Sequence, residues 1–248
     1  MQTNKSNKML IFLDLETTGL EVDDKVCSIG LIAIDSEDVI VKYELVNEGK
    51  KIPPKASSIN HITNEMIKNR ATLKESETYK FLQEKNLQTT SIVAHNSSFD
   101  LEKLSKVGFH FKGEIIDTLR VTKHLVPECE EFSLQFLKYE LKLYKAEDTL
   151  VKKYNILEKL FPHQALGDAV VVKLLYDYLQ QMATKDEMST LSFKKVLMQK
   201  FSFGKYSGRY IEEIVSIDRG YLEWMLNKVL DLDEDLRYSI NYYLRECV

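Results

Sequence analysis

Glycine and proline are scarce, 9 and 4 of 248 residues, which excludes collagen-like repeats and long flexible linkers. The three cysteines, Cys27, Cys129 and Cys247, are odd in number and far apart. They offer neither a disulfide framework nor a cysteine zinc site, and a reduced cytoplasm is the expected home. No apolar run approaches the roughly 20 residues needed to cross a bilayer. Met9 to Leu13 follows Lys5 and Lys8, but Asp14 cuts the run shorter than a signal-peptide core, so neither a targeting segment nor a membrane partner is expected. Net positive charge is also missing: 34 Lys and Arg stand against 38 Asp and Glu, a formal charge of −4. Global attraction therefore cannot drive binding to a polyanion; local patches or bound cations would have to supply it.

What is present is a globular composition. Hydrophobic residues at 44% and charged residues at 29% predict a sizeable core in one large domain, or in a mid-sized domain with an appendage. Met9 to Asp14 reads as a strand buried on both faces. Val26 to Ile34 and Val39 to Leu45 read as two more strands, joined through Asp35, Ser36 and Glu37. Thr63 is a predicted N-cap for a short helix, and a longer helix is expected over roughly 75 to 86. Then strand and helix alternate: Ser91 to Ala94, a helix through Phe99 and Leu104, Ile115-Ile116, a helix over Thr118 to Leu125, another over Ser133 to Leu143, and an apolar helix with Ala169, Val172, Leu175 and Leu179. This order predicts an α/β fold, a mixed sheet flanked by helices.

Polar residues cluster near Gln180 to Ser192. We divide the chain there into a domain over 1–181, a linker over 182–192 and a small α+β C-terminal module over 193–248. In the module, Phe201 to Ile211 is expected to form a hairpin around Ser207-Gly208. Asp218 should cap one helix, and Asp231 with Glu234 should form a capping box for the last.

Asp14 and Glu16 stand two apart at the end of the first strand, so both carboxylates leave one face. Asp100 opens the helix after Ser91 to Ala94, and His163 with Asp168 opens the apolar helix. Each has an ordinary explanation taken singly: a strand emerging into solvent, or an acid at a helix start. Together, all four acids lie where an α/β sheet gathers its ligand-binding ends. Four carboxylates in one pocket make six repelling pairs, each costing roughly 3 kcal/mol at about 5 Å and an effective dielectric of 20. Such a set must protonate or bind cations, and oxygen-only ligands favour Mg²⁺ or Mn²⁺. Two such ions about 4 Å apart suit in-line displacement at phosphorus, with histidine as the base that deprotonates water.

These residues carry a resemblance. Asp14-Leu15-Glu16-Thr17-Thr18-Gly19, His95 to Asp100, and His163 to Asp168 resemble, in order, the three motifs of the DnaQ-like exonucleases of the histidine subtype, which have the ribonuclease H-like fold. Ile59 to Thr63, Asp117-Thr118-Leu119 and Ser133-Leu134 also fall where that family has similar residues. The resemblance implies that Asp14, Glu16, Asp100 and Asp168 hold two Mg²⁺ or Mn²⁺ ions, with His163 activating water. It implies release of 5′-mononucleotides from a 3′ end. The turn at Thr17, Thr18 and Leu20 would hold the terminal nucleotide, with His61 and Phe99 flanking its base. His95 is expected to support the site rather than act as base. The stretch Lys142 to Pro162 is longer and more charged than the family's loop; a helix over Glu147 to Leu160, with Leu150, Tyr154, Leu157 and Leu160 on one side, is expected there, as a surface helix or as a lid.

Phe203 to Arg209 and Asp218 to Trp224 are similar to the C-terminal module of exodeoxyribonuclease X-like proteins. Lys205 and Arg209, interleaved with Tyr206 and Tyr210, are candidate nucleic-acid contacts; a solvated hairpin with its own small core is the competing account. The expected partner is therefore nucleic acid, with single-stranded DNA 3′ ends favoured and a role in DNA repair or proofreading. Three alternatives stay open: a 3′ RNA-trimming exonuclease, a subunit that associates with a DNA polymerase or sliding clamp, and a non-catalytic scaffold.

Overall fold

The computed structural model describes residues 9–36 and 38–246. Lys5, Lys8, Glu37 and Cys247, named above, lie outside the described residues. Three strands come first, β1 (Leu10–Thr17), β2 (Val26–Asp35) and β3 (Asp38–Leu45), followed by α1 (Pro54–Asn60), α2 (Asn64–Ile67) and α3 (Glu77–Glu84). Then come β4 (Ser91–Ala94), α4 (Ser97–Lys106), β5 (Glu114–Asp117) and α5 (Thr118–Leu125). After these the described chain is helical: α6 (Leu134–Glu140), α7 (Tyr144–Lys153), α8 (Ala165–Leu179), α9 (Lys185–Leu191), α10 (Ile211–Ile217), α11 (Arg219–Lys228) and α12 (Glu234–Glu246).

The sheet order is β3-β2-β1-β4-β5. β1 is central, antiparallel to β2 on one side and parallel to β4 on the other. That placement explains its unbroken apolar run: Phe12 faces a core with Val170, Val171, Leu175 and Tyr176 of α8, while Ile11 and Leu13 face a second core with Tyr79 and Leu82 of α3. Phe12 meets Tyr176 edge-on at 5.4 Å. The mixed α/β sheet is thus as expected. Thr63 caps α2 through the Met66 amide, and Asp218 caps α11 through the Tyr221 amide.

Several elements differ from expectation. Residues 185–191 of the expected linker form α9, opened by a Thr184–Glu187 capping box and packed on β5 and α5. The 201–211 stretch forms no regular strands, though its ends pair antiparallel, the Phe201 amide with the Arg209 carbonyl at 3.0 Å and the Ile211 amide with the Gln199 carbonyl at 2.9 Å. Gly204 and Gly208 take positive φ, the chain folds tightly between them, and only two isolated bridges form, Lys200 with Tyr210 and Phe201 with Ser207. The cap of α12 is Asp233, which accepts from the Leu236 amide, rather than Asp231. α7 stops at Lys153, which leaves Leu157 exposed, while Leu150 and Ile156 enter the α8 core. Leu150 and Ile156 anchor the start of the charged stretch, while residues 157–159 and 161–163 are exposed.

Phe201, Ile211, Ile214, Leu222, Met225, Leu236 and Ile240 form the module's own small core. Arg120 of α5 ties it to the sheet domain, reaching both carboxylate oxygens of Asp235 at 2.9 and 3.1 Å. Cys27 and Cys129 are free thiols, and burial pushes the Cys27 thiol up to about 12, so it stays protonated. Among the described residues no helix is long and apolar enough to cross a membrane.

Candidate active site

Asp14 and Glu16 lie on the β1 face that also presents Phe12 to α8, because side chains alternate along a strand. On β2 they stand opposite Gly30 and Ser28. Gly30 matters for space: a Cβ there would lie 2.3 Å from the Leu166 backbone nitrogen. With only hydrogen at that point, the first turn of α8 rests directly on the sheet beside Asp14.

Asp100 arrives from the other side. β1 and β4 pair in parallel only as far as Phe12 and Val93, beyond which the strands separate. The Leu15 amide, released from the ladder, donates instead to Asp100 Oδ1 at 3.1 Å. The turn leading into α4 passes through Asn96 in the left-handed region, which asparagine tolerates well. Asp117, at the end of β5, fixes that turn. Its carboxylate accepts from the Asn96 amide at 3.1 Å, the Ser97 amide at 2.9 Å and the Ser97 hydroxyl at 3.0 Å, and also caps α5. His95 contacts Thr118 Oγ1 at 3.0 Å and the Phe132 carbonyl at 2.8 Å, which makes it a supporting residue.

Asp168 sits in the first turn of α8, and Gln135 of α6 donates to its Oδ1 at 2.6 Å. His163 precedes the helix with φ of 56°; its half-exposed ring places Nδ1 4.0 Å from Asp168 Oδ2. One donor atom each from Glu16, His163 and Asp168 fall within 4.8 Å of one another.

The electrostatics record how close the acids are. Burial raises Asp14 well above the usual carboxylate range, and repulsion from Asp168, Asp100 and Glu16 adds to it. Burial, then Asp168 and Asp100, pushes Glu16 up to about 8. Burial raises Asp100 well above its usual value against the pull of the Leu15 amide, and raises Asp168 to about 7 against those of His163 and Gln135. Asp100 and Asp168 are only 3% and 6% exposed, whereas Asp14 and Glu16 are half-buried, reached by solvent from the open side of the cleft. A ligand-free site of this kind retains protons that divalent cations would displace. Four hard oxygen donors around one cleft fit Mg²⁺ or Mn²⁺. Burial and the neighbouring His61 lower His163 below its ordinary value, so the ring is neutral at pH 7 and able to accept a proton.

Around the acids lie the expected substrate residues. Thr17 and Thr18 are buried and turned inward, Thr17 Oγ1 to the Gly19 carbonyl at 2.6 Å and Thr18 Oγ1 to Asp24 Oδ1 at 2.8 Å. Their hydroxyls shape the turn, and Leu20 projects from it 85% exposed. Phe99 is half-buried beneath the Lys103 ammonium, 5.3 Å from its ring centre. His61, also at positive φ, meets Phe161 edge-on at 5.6 Å. Lys205 and Arg209 belong to the module, where each is already ion-paired, Lys205 with Asp218 at 2.9 Å and Arg209 with Glu213 at 3.1 Å. Asp117 and Gln135 are supporting residues to which sequence reasoning gave no role. Asp117 lay within a recognised segment, and its position at the end of a strand was an available signal; Gln135 carried none.

Two families match the chain, one described as Exonuclease over residues 11–176 and one as Exodeoxyribonuclease X-like C-terminal over 201–229. Exodeoxyribonuclease 10 of Escherichia coli strain K12 is 29% identical over 247 residues, covering 95% of this chain and 99% of that protein. A PolC-type DNA polymerase III of Thermotoga petrophila is 30% identical over 195 residues, 75% of this chain but 13% of the polymerase. Among solved structures, Exonuclease X in complex with 5′ overhanging duplex DNA superposes with a TM-score of 0.55 at 22% identity, covering 74% of this chain and 98% of the other.

Proposed function

This chain belongs to the exonuclease family, and on that premise we propose that it hydrolyses DNA from the 3′ end, one 5′-mononucleotide at a time, with two divalent metal ions. The convergence of Asp14, Glu16, Asp100 and Asp168 beside His163 carries this reading. Separate stretches of sequence bring four carboxylates into one cleft, where their charges are tolerable only when neutralised.

Asp14, Glu16, Asp100 and Asp168 would hold the metals. When bound, Mg²⁺ or Mn²⁺ supplies positive charge that polarises the attacking water and the departing oxygen. His163, neutral at working pH and at the open edge of the cleft, takes the proton from that water. Its approach to Asp168 then stabilises the imidazolium that forms. Thr17 and Thr18 shape the turn that meets the terminal sugar, and Leu20 presses on the base. His61 and Phe99 flank that base. Lys205 and Arg209 would reach a strand only by exchanging Asp218 and Glu213 for phosphate.

DNA is favoured over RNA because relatives matching most of this chain are named as exodeoxyribonucleases. A second role, in association with a polymerase, draws on the PolC-type relative. Mass-resolved digestion of defined DNA and RNA 3′ ends, with and without Mg²⁺ or Mn²⁺, tests direction, product and ion dependence together. The expected result is metal-dependent release of deoxynucleoside 5′-monophosphates. Metal-independent release, or trimming from the 5′ end, would overturn the proposal.

A further inference from the structure

The substrate turn over residues 18–25 is built around two groups that the chemistry above does not use. The Thr18 amide donates to the Lys25 carbonyl at 2.8 Å, and the Lys25 amide returns to Thr18 Oγ1 at 3.1 Å, closing the turn. Asp24, almost fully buried, fills its centre. Its carboxylate accepts from the Thr18 hydroxyl at 2.8 Å and the Glu21 amide at 2.9 Å, and pairs with Lys50 at 2.7 Å. Gly19 leaves room for this group, since a Cβ there would stand 2.3 Å from Asp24 Oδ2.

From the opposite side comes α4. Lys103 stands one helical turn beyond Asp100 and is 4% exposed. Its ammonium donates to the Glu21 carbonyl at 2.6 Å and the Asp24 carbonyl at 3.2 Å. Burying a lysine head is costly unless its donors are met, and here they are met by the backbone of a single turn. Leu20 and Val22 project from that turn into solvent.

We propose that Lys103 and Asp24 are positioning residues: the Lys103 ammonium clamps the turn that grips the 3′-terminal nucleotide to the helix that carries Asp100, and the Asp24 carboxylate holds that turn in the shape the ammonium grips. The proposal rests on the exonuclease reading of the site. One helix then supplies both a metal ligand and the anchor of the nucleotide turn, so the two parts of the cleft keep one spacing. Because the turn grips the terminal nucleotide before and during reaction alike, loosening it removes uniform binding and appears in KM rather than in kcat.

The test is steady-state hydrolysis of a 5′-labelled single-stranded DNA oligonucleotide by wild type, Lys103→Met and Asp24→Asn, each checked for folding by circular dichroism and melting. Met keeps the apolar stem and loses the ammonium; Asn keeps the shape and loses the charge. We expect KM to rise roughly tenfold in each, with kcat changed less than about threefold. If Lys103→Met does not fold, Lys106→Met takes its place, because Lys106 makes the second tie from α4 to this turn, at the Val22 carbonyl. A folded variant with wild-type KM, or one whose melting point falls without a KM change, would make the clamp merely structural and overturn the proposal. Wild type is assayed first, so its failure to release nucleotides would sink the exonuclease reading separately.

Discussion

Gly30 on β2 stands directly across from Asp14 on β1, and the backbone of Ala165 and Leu166 occupies the space where its side chain would be. The missing methyl group is what allows the first turn of α8, with Asp168 and His163 on either side, to reach the carboxylate pair. Gly30→Ala should therefore push this turn outward. Overpacking of this kind costs about 1–3 kcal/mol of stability, and a displacement near 1 Å should lower turnover by roughly 10²-fold. Melting curves and rate assays on the folded variant check both. Undiminished turnover would mean that the close approach does not set the site.

Metal removal has a signed pH dependence. Carboxylates raised in the folded state stabilise it fully only below their unfolded values, and stability falls as pH climbs through the folded ones. With Asp168 near 7 and Glu16 near 8, the metal-free protein should lose stability from about pH 4 up to about pH 8. Mg²⁺ should then raise the melting temperature more at pH 8 than at pH 5.5. Asp14→Ala should raise the metal-free melting temperature at pH 8, because it removes one of the repelling charges, while abolishing metal-dependent turnover. Melting temperatures with chelator or Mg²⁺ across this range are the measurement, and a flat metal-free profile contradicts the claim of clustered charge.

His163→Ala should slow the chemical step by roughly 10²–10⁴ while leaving DNA affinity nearly unchanged. In wild type the rate should fall on the acidic side below the ordinary histidine value, since burial and His61 lower His163. With Mg²⁺ saturating, so that the carboxylates stay ionised, that limb should vanish in the variant. An acidic limb that survives the substitution would assign the base to another group.

How much of this was legible in the sequence depended on whether a residue's neighbours were local. Asp14 and Glu16 share a face because they are two apart on a strand, and Asp100 and Asp168 open helices, so spacing made them candidates and the resemblance to the exonuclease motifs joined them. The central position of β1 followed from its unbroken apolar run. The hairpin expected at residues 201–211 is reduced to one antiparallel bridge at its base, because bends and turns through Gly204 and Gly208 take up the rest of the segment. The expected linker proved partly helical because its polarity reflects one solvent-facing side of α9, whose Met188 is buried. Lys103 and Gln135 act through contacts 33 to 82 residues away in sequence, a distance at which no periodicity or motif leaves a trace.

The same long-range bonding underlies the attachment of the C-terminal module. Arg120 on α5 reaches both oxygens of Asp235 and also donates to the Lys194 carbonyl, while Asp235 Oδ1 accepts from the Val196 amide. Asp235 is buried with its side chain 8% exposed, so loss of the guanidinium leaves a carboxylate without its cation. Arg120→Met should therefore destabilise the protein by about 2–4 kcal/mol, less than a fully buried pair because Arg120 itself is partly exposed. A double variant with Asp235→Asn should recover part of that loss, because the uncompensated charge is gone. Limited proteolysis should cut Arg120→Met between residues 192 and 200 well before wild type. Equal cleavage rates in the two proteins would show that the pair does not hold the module in place.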